Sequence, residues 1–313
     1  MKQTEKRVED RVASLLKEMT LEEKVGQMTQ IDGRKDPETQ IREKLPGSVL
    51  HVIGEKSVAL QKVAAETRLG IPLLFGIDAI HGHAFWPGAT IFPTQLAMSC
   101  SWNPERISAA GRITAKDVRA SGLHWTFSPV LGIIRDLRWG RVGETFGEDP
   151  FLVGELGKAL VQGYQGSDFT QEKSILACAK HFAGYCETQG GRDSSEADIS
   201  RRKLTALFLP SFGEAARAGC ATFMTGYQSI DGVPCTANRW LLTDLLKEEW
   251  GLDGFIVTDW DNFGRMHTKQ KVYATVAEAA AAGIRAGNDM SMVTHAFPAA
   301  AAEAVRTGLI EEA

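Results

Sequence analysis

Positive charge, long apolar runs and paired cysteines are all scarce in this 313-residue chain. Lysine and arginine number 35 against 39 aspartates and glutamates, a net charge of -4. A nucleic-acid-binding face is normally basic, so the charge gives no support for that class. The longest apolar stretches, such as Ala279 to Ile284, are far too short to cross a bilayer. The five cysteines (Cys100, Cys178, Cys186, Cys220 and Cys235) are odd in number and show no CxxC spacing. That argues against a disulfide framework or a zinc site and for reduced thiols. Met1 to Arg7 is charged and lacks the apolar core of a secretory signal. The expected location is the cytoplasm, or the periplasm or exterior if a leader has been removed. No GxGxxG follows the first strand, which counts against a doubly wound dinucleotide-binding sheet.

What is present is an alternation of strands and helices. Thr20-Leu-Glu-Glu23 is a capping-box pattern opening a short helix that leads into a strand over Val25–Ile31. Further strands are expected over Gly47–Ile53, Ile71–Asp78, His124–Leu131, Ser174–Phe182, Cys220–Tyr227, Gly254–Trp260 and Ala286–Met292. Asn103-Pro104 and Asp149-Pro150 each pair an N-cap with proline at the first helical position. Ser200 precedes a helix over Arg201–Arg217, and Asn238 one over Arg239–Glu249 that Gly251 ends. Eight strands alternating with helices predict an α/β fold of the (β/α)8 TIM-barrel type, with a doubly wound sheet as the runner-up. No linker, repeat or low-complexity tract divides the chain.

In such a barrel the strand C-terminal ends face the catalytic mouth. Gly254-Phe-Ile-Val-Thr-Asp259-Trp260 is the most telling segment, because a buried apolar strand runs straight into a carboxylate and an indole. The third strand delivers Asp78, followed by His81 and His83; the fifth delivers Lys180 and His181; the sixth, Tyr227; the eighth, Asn288 and Asp289. The loop after the fourth carries Arg135, Arg138, Arg141, Glu144 and Glu148. Taken singly, each has a structural alternative: Asp259 as a helix cap, Lys180 as an internal partner of Asp78. Together, carboxylates, cations and aromatic faces suit a neutral polyhydroxylated ligand. His81 and His83 have metal-ligand spacing but no third partner, which favours a loop-ordering role. No metal and no cofactor are expected.

The motifs Gly76-Ile-Asp78-Ala-Ile-His-Gly82, Arg138-Trp-Gly-Arg141 with Gly147-Glu-Asp-Pro150, Lys180-His181-Phe-Ala-Gly184, Gly190-Gly-Arg192-Asp193, Met224-Thr-Gly-Tyr227 and Val257-Thr-Asp259-Trp260 occur in this order. In these the chain resembles the catalytic barrel of family 3 glycoside hydrolases, the β-glucosidase and exo-β-glucanase group. The resemblance covers nearly the whole chain. It implies a retaining β-glycosidase that releases glucose from the non-reducing ends of β-linked glucosides or oligosaccharides. By the same resemblance, Asp259 is the nucleophile. Asp78, Arg141, Lys180, His181, Tyr227 and Met224 line the sugar subsite, and Trp260 packs against the sugar or its leaving group.

A retaining enzyme also needs an acid/base group about 5–5.5 Å from the nucleophile. The N-acetylglucosaminidase branch uses a histidine following Lys-His-Phe-Pro-Gly. Here Lys180-His-Phe-Ala-Gly184 is followed by Tyr185 and Cys186, which points to the β-glucosidase branch. In that branch the acid/base is a glutamate on a C-terminal α/β sandwich domain. The sequence stops at Ala313, so we expect one barrel domain over 1–313, the sandwich domain absent, and the glutamate supplied by another domain or chain. Glu144, Glu148, Glu187 and Glu196 lie in loops near the mouth without motif support. Cys186 and Ser194 also depart from the family pattern. The alternatives are a sugar-binding barrel without turnover, an N-acetyl-β-hexosaminidase of the same family, and a Schiff-base aldolase with Lys180 as nucleophile.

Overall fold

Thr20 and Glu23 close the predicted capping box: the Thr20 amide donates to Glu23 Oε2 at 2.9 Å and the Glu23 amide to Thr20 Oγ1 at 3.3 Å. This locks Leu21–Gln27 as helix, so Val25, placed in the first strand by sequence, is helical and the strand begins at Thr29. The computed structural model describes residues 2–312. Its principal strands are β1 (Thr29–Asp32), β2 (Ser48–Leu50), β3 (Leu74–Ile77), β4 (Trp125–Thr126), β5 (Cys178–Phe182), β6 (Thr222–Thr225), β7 (Phe255–Val257) and β8 (Ser291–Met292).

Every contact between these strands is parallel. One run follows the order β8-β1-β2-β3-β4 and a second β5-β6-β7. Bridges from Trp125 to Leu176 and from Val130 to Lys180 join β4 to β5, and one from Val257 to Met290 joins β7 to β8. The ring of eight is therefore closed, as a (β/α)8 barrel requires. A small antiparallel hairpin (Ser229–Ile230 with Val233–Pro234) sits outside it.

Two side-chain layers follow from strand alternation. Val49, Phe75, Ile77, Phe223 and Ile256 pack outwards against the helices. Leu50, Trp125, Phe127, Cys178, Met224, Val257 and Met292 pack inside the barrel. Gly76 is required here, because a Cβ would stand 2.7 Å from the Phe127 ring. Two interior polar groups bond to other strands: Trp125 Nε1 donates to Thr222 Oγ1 at 2.8 Å, and Gln30 Nε2 to Ser48 Oγ at 2.8 Å.

The helix starts at Asn103 and Asp149 follow the caps read from sequence: each side chain accepts from the amide three residues on, Arg106 and Leu152. The helix expected over Arg201–Arg217 is broken, with a wider turn at Leu204–Phe208 before a new helix at Pro210–Arg217. Pro210 has no N–H to continue the ladder, which accounts for the break. Trp240–Glu249 is likewise wound with the wider pitch, and its start is held by Asn238 Oδ1 accepting from the Leu241 amide at 3.1 Å.

Candidate active site

Five strand ends, β2 and β5 to β8, and the loops after β3 and β4 surround an open cavity of about 450 Å³. That is within the usual range for small-ligand sites, which runs from about 300 to 1,000 Å³. It is lined by Asp78, Arg141, Glu144, Lys180, His181, Met224, Tyr227, Asp259 and Trp260, together with Leu50, His51, Phe127 and Met292. All eight site residues expected from sequence meet here. Met224 forms floor, being 2% exposed inside β6.

Lys180 and His181 are neighbours in sequence, and a regular strand would send them to opposite faces. The β5–β6 register shifts between Lys180 and Phe182, so both reach the cavity. Lys180 Nζ donates to Asp78 Oδ1 at 2.8 Å, joining the ends of β5 and β3. His181 Nε2 stands 3.4 Å from Asp259 Oδ2. Burial, helped by the Arg141 and Lys180 charges, holds the His181 imidazole well below its ordinary pKa and therefore neutral.

Asp259 is 7% exposed. The Trp260 amide donates to its Oδ1 at 2.6 Å. Burial raises its pKa; Tyr227, the Trp260 amide, Lys180 and Arg141 work against that rise. The Tyr227 phenol is in turn pushed above its ordinary value, chiefly by burial and then by the Asp259 carboxylate. The site thus holds one deeply buried carboxylate beside two cations, with a second carboxylate already engaged by one of them.

Arg141 is fixed by a two-pronged ion pair, Nε to Glu144 Oε1 and Nη2 to Glu144 Oε2, both 2.8 Å. Burial opposes its charge, but the Glu144 fork, with Tyr185 and Asp259 nearby, lifts its pKa above the usual guanidinium value. Tyr185 lies behind these groups, its ring 4.8 Å from His181 and 5.5 Å from the Arg141 guanidinium carbon, and its hydroxyl donates to Asp193 Oδ1. The residue that departs from the N-acetylglucosaminidase pattern is therefore a buried prop for the site.

Some expectations fail. Asn288 and Asp289 precede β8 rather than follow it. Asp289 accepts from Lys247 Nζ at 2.7 Å and from the Ile256 amide at 2.8 Å, and Asn288 Nδ2 donates to the carbonyls of Thr236 and Gly283. Met292 ends that strand instead. His81 and His83, by contrast, order the loop after β3 as expected: His81 Nδ1 bonds the Phe92 carbonyl oxygen at 2.8 Å and His83 Nε2 the Ser121 hydroxyl at 2.9 Å. Of the loop glutamates, Glu144 alone lines the cavity; Glu187 pairs with Lys203 and Arg135, Glu196 accepts from the Ser229 amide, and Glu148 is exposed. Sequence reasoning missed His51, although the strand-end rule applied to β2 points straight at it.

The site is thus the mouth of a (β/α)8 barrel that presents carboxylates, a guanidinium fork and an indole wall to one cavity, groups able to bond a polyhydroxylated ligand. The glycosyl hydrolase family 3 N-terminal domain matches residues 20–313, and the chain belongs to that family. Among characterised relatives, it is 36% identical over 298 residues to a β-xylosidase of Formosa agariphila, covering 93% of this chain and 37% of that protein. It is 33% identical over 288 residues to a periplasmic β-glucosidase of Salmonella typhimurium, covering 90% of this chain and 37% of the relative. A solved β-glucosidase involved in saponin metabolism from intestinal bacteria is 54% identical, with a TM-score of 0.91, covering 96% of this chain and 40% of that one. A β-glucosidase from Listeria innocua in complex with glucose is 34% identical, with a TM-score of 0.90, covering 97% and 44%. The chain thus spans about two fifths of the length of these proteins.

Proposed function

We propose that this barrel is the glycosyl-transferring half of a retaining β-glycosidase acting at the non-reducing end of β-linked glucosides or xylosides. The observation that carries the reading is Asp259, a buried carboxylate at the end of β7 that lines an open cavity of about 450 Å³. Its proposed role is nucleophile. The carboxylate attacks the anomeric carbon, a C–O ester bond forms, and the glycosidic bond breaks with its electron pair leaving on the aglycone oxygen. Burial raises the Asp259 pKa, and Tyr227, the Trp260 amide, Lys180 and Arg141 work against that rise, in the direction of the ionised carboxylate that attack needs. Asp78, held by Lys180, accepts from sugar hydroxyls, and Arg141 and His181 complete the ring of polar contacts. Trp260 supplies the apolar wall. The relatives, named as β-glucosidases and β-xylosidases, support this substrate class.

The leaving oxygen must also gain a proton. The carboxylates lining the cavity are Asp78, Glu144 and Asp259, and the first two are held by Lys180 and Arg141. We assign the acid/base to a glutamate on a further domain or chain. The 313-residue chain is then nearly inactive on cellobiose, since acid–base assistance is worth about 10²–10⁴-fold. A 2,4-dinitrophenyl glucoside, whose leaving group needs no proton, still glycosylates Asp259. Azide, which needs no deprotonation, then releases β-glucosyl azide. Robust cellobiose hydrolysis places the acid/base within these residues, and an α-configured azide excludes a double displacement.

A further inference from the structure

In a closed ring of eight, β3 and β7 stand opposite each other. A pyranose spanning the cavity with its anomeric carbon at Asp259 therefore points its C4 end at Asp78. The two flanks between these carboxylates differ in chemistry. On one side, the ends of β4 to β6 contribute Arg141, Lys180, His181 and Tyr227; on the other, β8 and β2 contribute Met292, Leu50 and a single polar side chain, His51. The first flank matches the vicinal hydroxyls at C2 and C3. The second then faces C5 and whatever substituent C5 carries.

His51 is held in a defined state. It follows β2 with φ 62°, a left-handed conformation uncommon outside glycine. Its Nδ1 stands 3.4 Å from Oδ1 of Asp32, itself 2% exposed and gripped by Arg34 through Nε at 2.9 Å and Nη2 at 2.9 Å. A carboxylate only accepts, so the ring proton sits on Nδ1 and Nε2 presents a lone pair. Among the described residues Nε2 has no hydrogen-bond partner. Burial, with Arg34 close by, lowers the imidazole pKa and keeps the ring neutral. Trp260 lies alongside, ring centroids 6.0 Å apart.

We infer that His51 is the specificity-determining residue for the C5 substituent: its Nε2 accepts a hydrogen bond from a C6 hydroxyl, favouring β-glucosides over β-xylosides. This rests on the reading of Asp259 as nucleophile. The test compares 2,4-dinitrophenyl 2-deoxy-2-fluoro-β-D-glucoside with the corresponding xyloside, which lacks only the hydroxymethyl group. Intact mass follows the rate of covalent labelling in the wild-type chain and in His51→Gly. Glycine adopts the left-handed backbone without strain, so the ring is removed with little disturbance. The glucoside-to-xyloside rate ratio is expected to fall about tenfold, the worth of one hydrogen bond. His51→Asn, whose side chain also tolerates that backbone, should recover part of the ratio and carries the test if the glycine variant does not fold. An unchanged ratio in a labelled, folded variant overturns the role of His51 and leaves the nucleophile in place. A wild-type chain labelled by neither sugar overturns both readings.

Discussion

The lower interior of the barrel and its mouth are built from the same strands, and they differ in how much ionisable chemistry they bury. Below, Trp125 packs edge-on to Phe127 and Phe255 with centroids 4.7 and 5.1 Å apart, and its N–H is bonded to Thr222. Above, Lys180, His181 and Asp259 are buried ionisable groups that line one cavity. Burying such groups costs free energy unless they are paired. A region selected only for stability would hold apolar side chains there, as the interior below does. The ion pairs Lys180–Asp78 and Arg141–Glu144 fix four charged side chains around the cavity.

The sharpest way to break that contrast is at Asp259. Asp259→Ala should slow glycosylation by 2,4-dinitrophenyl glucoside by about 10⁴-fold or more while leaving circular dichroism unchanged, because the nucleophile is lost and the core is not. At the other pole, Trp125→Ala should lower unfolding stability by about 3–5 kcal/mol in a urea titration, the usual range for deleting a large buried aromatic. Asp78→Ala should weaken glucose binding by about 1.5–3 kcal/mol in calorimetry, as an ionised acceptor is removed, with folding preserved. Normal binding by that variant makes Asp78 a structural partner of Lys180 instead.

The smallest effect concerns pH. Burial raises the Asp259 pKa in the folded protein above that in the unfolded chain. Ionising it therefore favours unfolding: the stability it allows is fully present below the unfolded value, near 3.9, and is lost as pH rises through the raised folded value. Asp259→Asn, which stays neutral, should melt a few degrees above wild type at pH 7, with the gap closing as pH falls towards 4. Equal melting temperatures across that range would show that Lys180 and Arg141 already compensate the buried charge fully.

Much of this arrangement was legible in sequence because the barrel turns order along the chain into order around the mouth. Asp78, Lys180, His181, Tyr227, Asp259 and Trp260 each sit in or just after a short β-rich segment, and those ends converge. Two other features depend on geometry that residue type does not reveal. His51 turns into the cavity through a left-handed backbone, and Lys180 and His181 both face it only because the β5 register slips. Asn288 and Asp289 misled because polar residues flank β8 on its entry side, where Asp289 accepts from the Ile256 amide of the neighbouring strand and Asn288 donates to the Thr236 and Gly283 carbonyls, away from the cavity. The interruption of Arg201–Arg217 was written in Pro210, which the periodicity of the surrounding helix masked.

The most direct test of the account is the site of covalent capture. The 313-residue chain, incubated with 2,4-dinitrophenyl 2-deoxy-2-fluoro-β-D-glucoside and digested, should yield one modified peptide, with the sugar ester on Asp259. Modification of Asp78, Glu144 or any other carboxylate would contradict it.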